Sequence, residues 1–194
     1  MANVKLSTAE LELVTNIPVI LTKNRIINAV QEIFGEISTE YQRCIANTYQ
    51  LPDNVKAISP KIYKGENYEG LPWVMLDYPR YFTRTDELAI RSYFWWGNYF
   101  SITLQLSGVF ISQFAEGIVR LAKVQPDWQL MTHEDKWQHT INNSNCIPLE
   151  NVQIAQLLQM PFIKVVKTHP LQQWDMAPAF FTASFETLVK TVFG

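Results

Sequence analysis

The residues best able to do chemistry fall between Lys61 and Gln105. Asp77 follows an otherwise apolar run, Trp73-Val74-Met75-Leu76, and Arg91 lies inside an aromatic one. A charge in a strand covered on both sides has to be paired, because desolvating it alone is costly. Asp77 with Arg91 or Arg80 makes such a pair if the two strands are neighbours. The plain outcome is a salt bridge. The functional outcome is an arginine whose planar fork holds a ligand carboxylate or phosphate. Lys61 and Lys64 nearby would turn the cluster into a small anion site. A second set extends it: Ser101, Thr103, Gln105 and Ser107 recur at every second position, so a strand would present them as one row of uncharged hydrogen-bonding groups. The candidate ligand-binding residues are Lys64, Asp77, Arg80, Arg91, Ser101, Thr103 and Gln105. An acid–base role for Asp77 or Glu66 finds no partner in the sequence.

Other chemistries are poorly served. The seven glycines stand singly and form no phosphate-cradling loop, and no serine sits in a nucleophile elbow. Cys44 and Cys146 lack the spacing of a zinc or redox pair. His133 and His139 flank the turn residues Glu134 and Asp135, which brings together ligand types that zinc or iron accepts. Their spacing matches no metal motif, so the expectation is no metal and no cofactor.

These residues need elements to position them. Five aromatics in Phe94–Phe100, interrupted by Gly97-Asn98, precede the alternating run 101–107 and predict a hairpin, with a third strand over 88–96 and a fourth over 100–107. Neighbours on a strand point to opposite faces, so Trp95 and Trp96 must separate. The even positions, Phe94 through Leu106, are the expected core. Earlier strands are predicted at 58–64 and 73–78, joined by a loop between Gly65 and Gly70. A further hairpin is expected from 128–132 and 137–141, turning at 133–136, and a last strand at 162–169. Helices are predicted at 8–15, opened by a Ser7/Glu10 capping box with Leu6 and Leu11 as a staple, and at 22–46 after Pro18. The second carries an apolar stripe at Ile26, Val30, Ile33, Ile37, Tyr41 and Cys44, which packs on the chain's own sheet or serves a dimer contact. Further helices are expected at 109–123, from Pro148 to about Gln159, and at the end, capped by Asp175 with Phe181, Phe185, Leu188 and Val192 inward.

The stretch Lys61 to Gly108, with Lys64-Gly65-Glu66-Asn67-Tyr68-Glu69-Gly70-Leu71-Pro72 and Phe94-Trp95-Trp96-Gly97-Asn98, resembles an uncharacterised bacterial protein family. The resemblance covers about a quarter of the chain. It implies a bacterial, cytoplasmic, single-domain protein and transfers no catalytic residue.

Size and charge bound the rest. A chain of 194 residues fits one domain able to build its own core. A net charge of −2 gives no reason to seek nucleic acid. No run approaches the roughly 20 apolar residues of a membrane span. No apolar run follows Met1-Ala2-Asn3-Val4-Lys5, so a reducing cytoplasm is expected. The reading is an α+β domain over 1–194: an antiparallel sheet of six or seven strands, a meander of hairpins, covered by N-terminal, middle and C-terminal helices. Its expected role is a non-catalytic binding or interaction protein, homo-oligomeric, using the aromatic sheet face. The alternative is a small-molecule enzyme with an anion pocket around Asp77, Arg80 and Arg91. The partners expected are a second copy of the chain and a small anionic ligand.

Overall fold

Alternation and turn chemistry together build one antiparallel sheet. The computed structural model describes residues 4–46 and 51–194. Seven strands run β1 (Lys61–Tyr68), β2 (Leu71–Phe82), β3 (Glu87–Trp95), β4 (Tyr99–Ser107), β5 (Gln129–Met131), β6 (Cys146–Pro148) and β7 (Phe162–Pro170). Their order in the sheet is β1-β2-β3-β4-β7-β5-β6. The first four form the expected meander. β7 then returns to pair with β4, so β3 and β4 lie at the centre.

The β3–β4 turn differs from the two-residue form expected. Trp95 pairs with Tyr99, and Trp96, Gly97 and Asn98 make a three-residue loop. Gly97 takes φ 73°, a conformation that L side chains adopt at a cost. Trp95 and Trp96 still part onto opposite faces. Trp95 packs with Met75 and Tyr93, and Trp96 leans on the main core.

That core fills the face covered by helices. Leu88, Ile90 and Phe94 of β3 meet Phe100, Ile102, Leu104 and Leu106 of β4, as the even-position reading requires. Three helices cover them: α2 (Ile17–Ala46), α4 (Val109–Val124) and α6 (Ala177–Val192). Helix α2 packs through Ile27, Val30, Phe34, Ile37, Tyr41 and Ile45, a stripe partly displaced by one residue from the expected one. A polar exception on β3, Ser92, is buried and pairs with the Tyr41 hydroxyl at 3.0 Å. The Tyr41 ring stacks on Phe185 at 3.6 Å.

Several boundaries move. Pro18 sits in the first turn of α2, where a missing amide donor costs nothing, so the helix starts at Ile17 rather than 22. Helix α1 (Thr8–Thr15) has its capping box, yet Leu6 and Leu11 both remain exposed. The expected hairpin over 128–141 does not form: β5 pairs instead with β6 and β7. The helix expected up to Gln159 is replaced by β6, a single 3-10 turn at Leu149–Asn151 and the short α5 (Ile154–Leu157). Asp175 does not cap α6, which begins after Met176 with Pro178 in its first turn. A short α3 (Asp53–Lys56) completes the set.

Candidate functional site

The second face of the sheet is covered by chain without regular structure. Residues 132–145 leave β5, cross this face and return as β6. A coil strap carries backbone amides and carbonyls that need partners when covered. The sheet's side chains supply them. The Tyr68 hydroxyl accepts from the amides of His139 at 2.7 Å and Thr140 at 3.0 Å. The Tyr99 hydroxyl accepts from the amide of Ile141 and donates to the carbonyl of His139, both at 2.9 Å. Lys164, almost fully buried on β7, donates to the carbonyl of Gln138.

Beneath and beside the strap runs a chain of charged and polar groups. Asp77 and Arg91 stand opposite each other in the β2–β3 register, and Arg91 Nε donates to Asp77 Oδ1 at 2.9 Å. Both are about 5 % exposed. Tyr63 donates to Asp77 Oδ2 at 2.7 Å and accepts from Arg91 Nη2 at 2.8 Å. Burial pushes its phenol up to about 12, so it stays a donor at neutral pH. The Gln105 amide continues the line: its oxygen accepts from Arg91 at 3.4 Å, and its nitrogen donates to Glu87 at 3.0 Å. Lys136 of the strap closes it on Glu87 at 2.5 Å.

The mouth of this layer is a pocket of about 250 Å³ lined by Lys61, Tyr63, Asp77, Arg80, Phe82, Arg91 and Trp137. A bulge in β2 builds it. Two residues separate Asp77 from Arg80 on β2, but only one separates their partners Arg91 and Ala89 on β3. A regular strand would send residues three apart to opposite faces. The extra residue returns Arg80 and Phe82 to the face of Asp77. The Arg91 guanidinium lies over the rings of Phe82 and Trp137, 5.8 and 5.4 Å from their centroids.

The expected site residues therefore divide. Asp77, Arg80 and Arg91 come together in the pocket. Lys64 pairs with Val74, whose side chain belongs to the helix-covered core, so it lies on the other face of β1 and Lys61 takes its place. Ser101, Thr103 and Gln105 share the strap-covered face and are buried, rather than lining an open wall. The sequence reading missed Tyr63, Phe82 and Trp137. Tyr63 was open to discovery, because Lys61 and Tyr63 alternate together once Asp77 is set opposite Lys61. The histidines are apart in role: the His133 ring accepts from the amide of Asp135 in an exposed turn, and the His139 ring stacks on Tyr93 at 4.9 Å. Among the described residues no three His, Cys, Asp or Glu gather where a metal could be held.

No protein-family model, curated protein or solved structure matches the chain. Among the described residues no helix is long and apolar enough to cross a membrane.

Proposed function

We propose that this protein is a non-catalytic binding domain whose pocket at Lys61, Arg80 and Arg91 takes a small organic anion. The balance of charge in the pocket carries this reading: three cations face a single carboxylate, Asp77, which is already committed to Arg91. The surplus positive charge sits on Lys61 and Arg80. Arg80 is anchored through Nε to the carbonyl of Ser59 at 2.9 Å and makes no other hydrogen bond among the described residues. Its terminal nitrogens are thus left for a carboxylate or phosphate oxygen. Phe82 and Trp137 stand half exposed at the mouth, 6.2 Å apart, and offer a flat apolar wall to the ligand's body. A volume near 250 Å³ suits a compact metabolite better than a dinucleotide or a peptide.

Binding fits these groups better than catalysis. Asp77 accepts from Arg91 and Tyr63, and Glu87 accepts from Gln105 and Lys136, so neither carboxylate stands free as a base. An enzyme at Asp77, Arg80 and Arg91 would need a proton-transfer group there, and Lys164, whose amine burial pulls down to about 7, is outside the pocket lining. Calorimetric titration with benzoate and inorganic phosphate, and with benzylamine as the cationic control, tests the proposal. An anion binds and benzylamine does not. Arg80→Ala weakens anion binding at least about tenfold, the loss of one charge-assisted contact, and Lys64→Ala leaves it unchanged. Equal losses in the two variants, or binding of benzylamine alone, would refute the site.

A further inference from the structure

Residues 4–21 form an arm that the rest of the described chain leaves uncovered. Helix α1 buries none of its residues, and Ile27 is the first buried position of α2. Nine large apolar side chains in the arm are 45 to 83 % exposed, among them Leu11, Leu13 and Val14 of α1 and Ile17, Ile20 and Leu21 of α2. An eight-residue helix is too short to persist in water by itself, capped or not. It needs packing that its own chain does not give. At the base of the arm lies a groove of about 680 Å³, lined mainly by Val19, Ile20, Ile26, Leu71, Pro72 and Trp96.

We infer that this groove is the seat for α1 of a second copy of the chain, in a two-fold exchange of arms. Each protomer carries one apolar helix lacking a seat and one apolar groove lacking an occupant, so a reciprocal contact uses both and closes. The area is sufficient. A Val or Leu side chain carries roughly 60–120 Å² of apolar surface, so nine at about half to four-fifths exposure offer on the order of 500 Å² per protomer, about 1,000 Å² for the pair. That meets the roughly 1,000 Å² that sets a biological interface apart from a chance contact. A lipid surface is a poorer match, because membrane-seated helices carry Lys and Arg on their polar face, whereas residues 4–21 hold Lys5 against Glu10 and Glu12.

The test is the mass of the full chain in solution by light scattering and sedimentation at micromolar concentration. Wild type reads twice the 22.5 kDa chain mass. The double variant Leu13→Glu/Val14→Glu reads as a monomer with unchanged circular dichroism of the sheet, and so does Ile20→Glu. Leu158→Glu, an equally exposed apolar position away from the arm, stays dimeric. A wild-type monomer overturns the inference, whether it is free or bound to anionic vesicles. So does a dimer that the arm variants leave intact.

Discussion

The two faces of one sheet are covered by different materials, and each face matches its cover. Helices α2, α4 and α6 satisfy their own backbone, so the face beneath them is free to be apolar: Leu88, Ile90, Phe94, Phe100, Ile102 and Leu104. The strap of residues 132–145 has no such ladder, so the face beneath it carries hydroxyls, an amide and charges that can hydrogen-bond to a coil. A row such as Ser101–Thr103–Gln105 reads on paper as a surface facing water. Here it is buried, and the polarity of the face reports the kind of chain lying over it. The aromatic side of β3 is closed to a partner for the same reason: Tyr93 and Trp95 are both under 5 % exposed.

The largest test of this contrast removes one group from each face. Phe94→Ala empties a space in the helix-covered core and costs about 3–5 kcal/mol. Arg91→Met costs a similar ~3–5 kcal/mol for a different reason, because it leaves the buried Asp77 without its ion-pair partner. Urea unfolding of a third protein, Asp77→Leu/Arg91→Met, separates the causes. With both charges gone the penalty largely disappears, since well-packed apolar groups replace a buried pair at little cost. A double variant as unstable as the single one would mean that the polar layer is held by packing, as the other face is.

The same contrast explains what the sequence discloses. The helix-covered face follows period two through β3 and β4, and its core residues were readable one by one. The opposed pair Asp77–Arg91 was readable too, because a charge between apolar neighbours demands a partner. Arg80 was named as a site residue, but what turns it into the pocket is a one-residue bulge that strict alternation does not reveal. Lys64 and Lys61 are three positions apart, an odd step, which on a strand puts them on opposite faces. The strap was the hardest part. Trp137 to Ile141 resembles a strand by composition, yet its amides bond to Tyr68 and Tyr99 side chains rather than to a neighbouring strand. Only the fold brings those tyrosines within reach.

Anchors of the strap come next in size. Tyr68→Phe leaves the amides of His139 and Thr140 without their acceptor and costs about 1–3 kcal/mol. Hydrogen exchange should localise the loss: amides 139 and 140 exchange faster, and those of β3 and β4 keep their protection. Uniform loosening of the sheet would show that the strap and the meander form one cooperative unit, contrary to the division drawn between the two covers.

The smallest effect is a slope. Burial, with the nearby charges of Lys164 and Arg91, pulls the His139 imidazole from 6.5 down to about 2. It therefore stays neutral in the fold, whereas the unfolded chain takes up a proton below pH 6.5. Stability is lost as pH falls through that range, by up to about 1.4 kcal/mol per unit for one proton. Lys164 acts with the same sign at higher pH. Burial lowers its amine from 10.5 to about 7, so between those values the unfolded chain holds a proton that the fold has released, and stability rises with pH. His139→Phe keeps a ring against Tyr93 and removes the acid titration, flattening the loss between pH 6 and 5 without altering the rise above 7. Lys164→Met does the reverse. On the helix-covered face the buried pair Ser92 and Tyr41 does not titrate in this range, because burial pushes the Tyr41 phenol far up. If His139→Phe left the acid limb unchanged, the proton uptake would belong to another group, and the strap-covered face would lose its claim to the pH dependence of the fold.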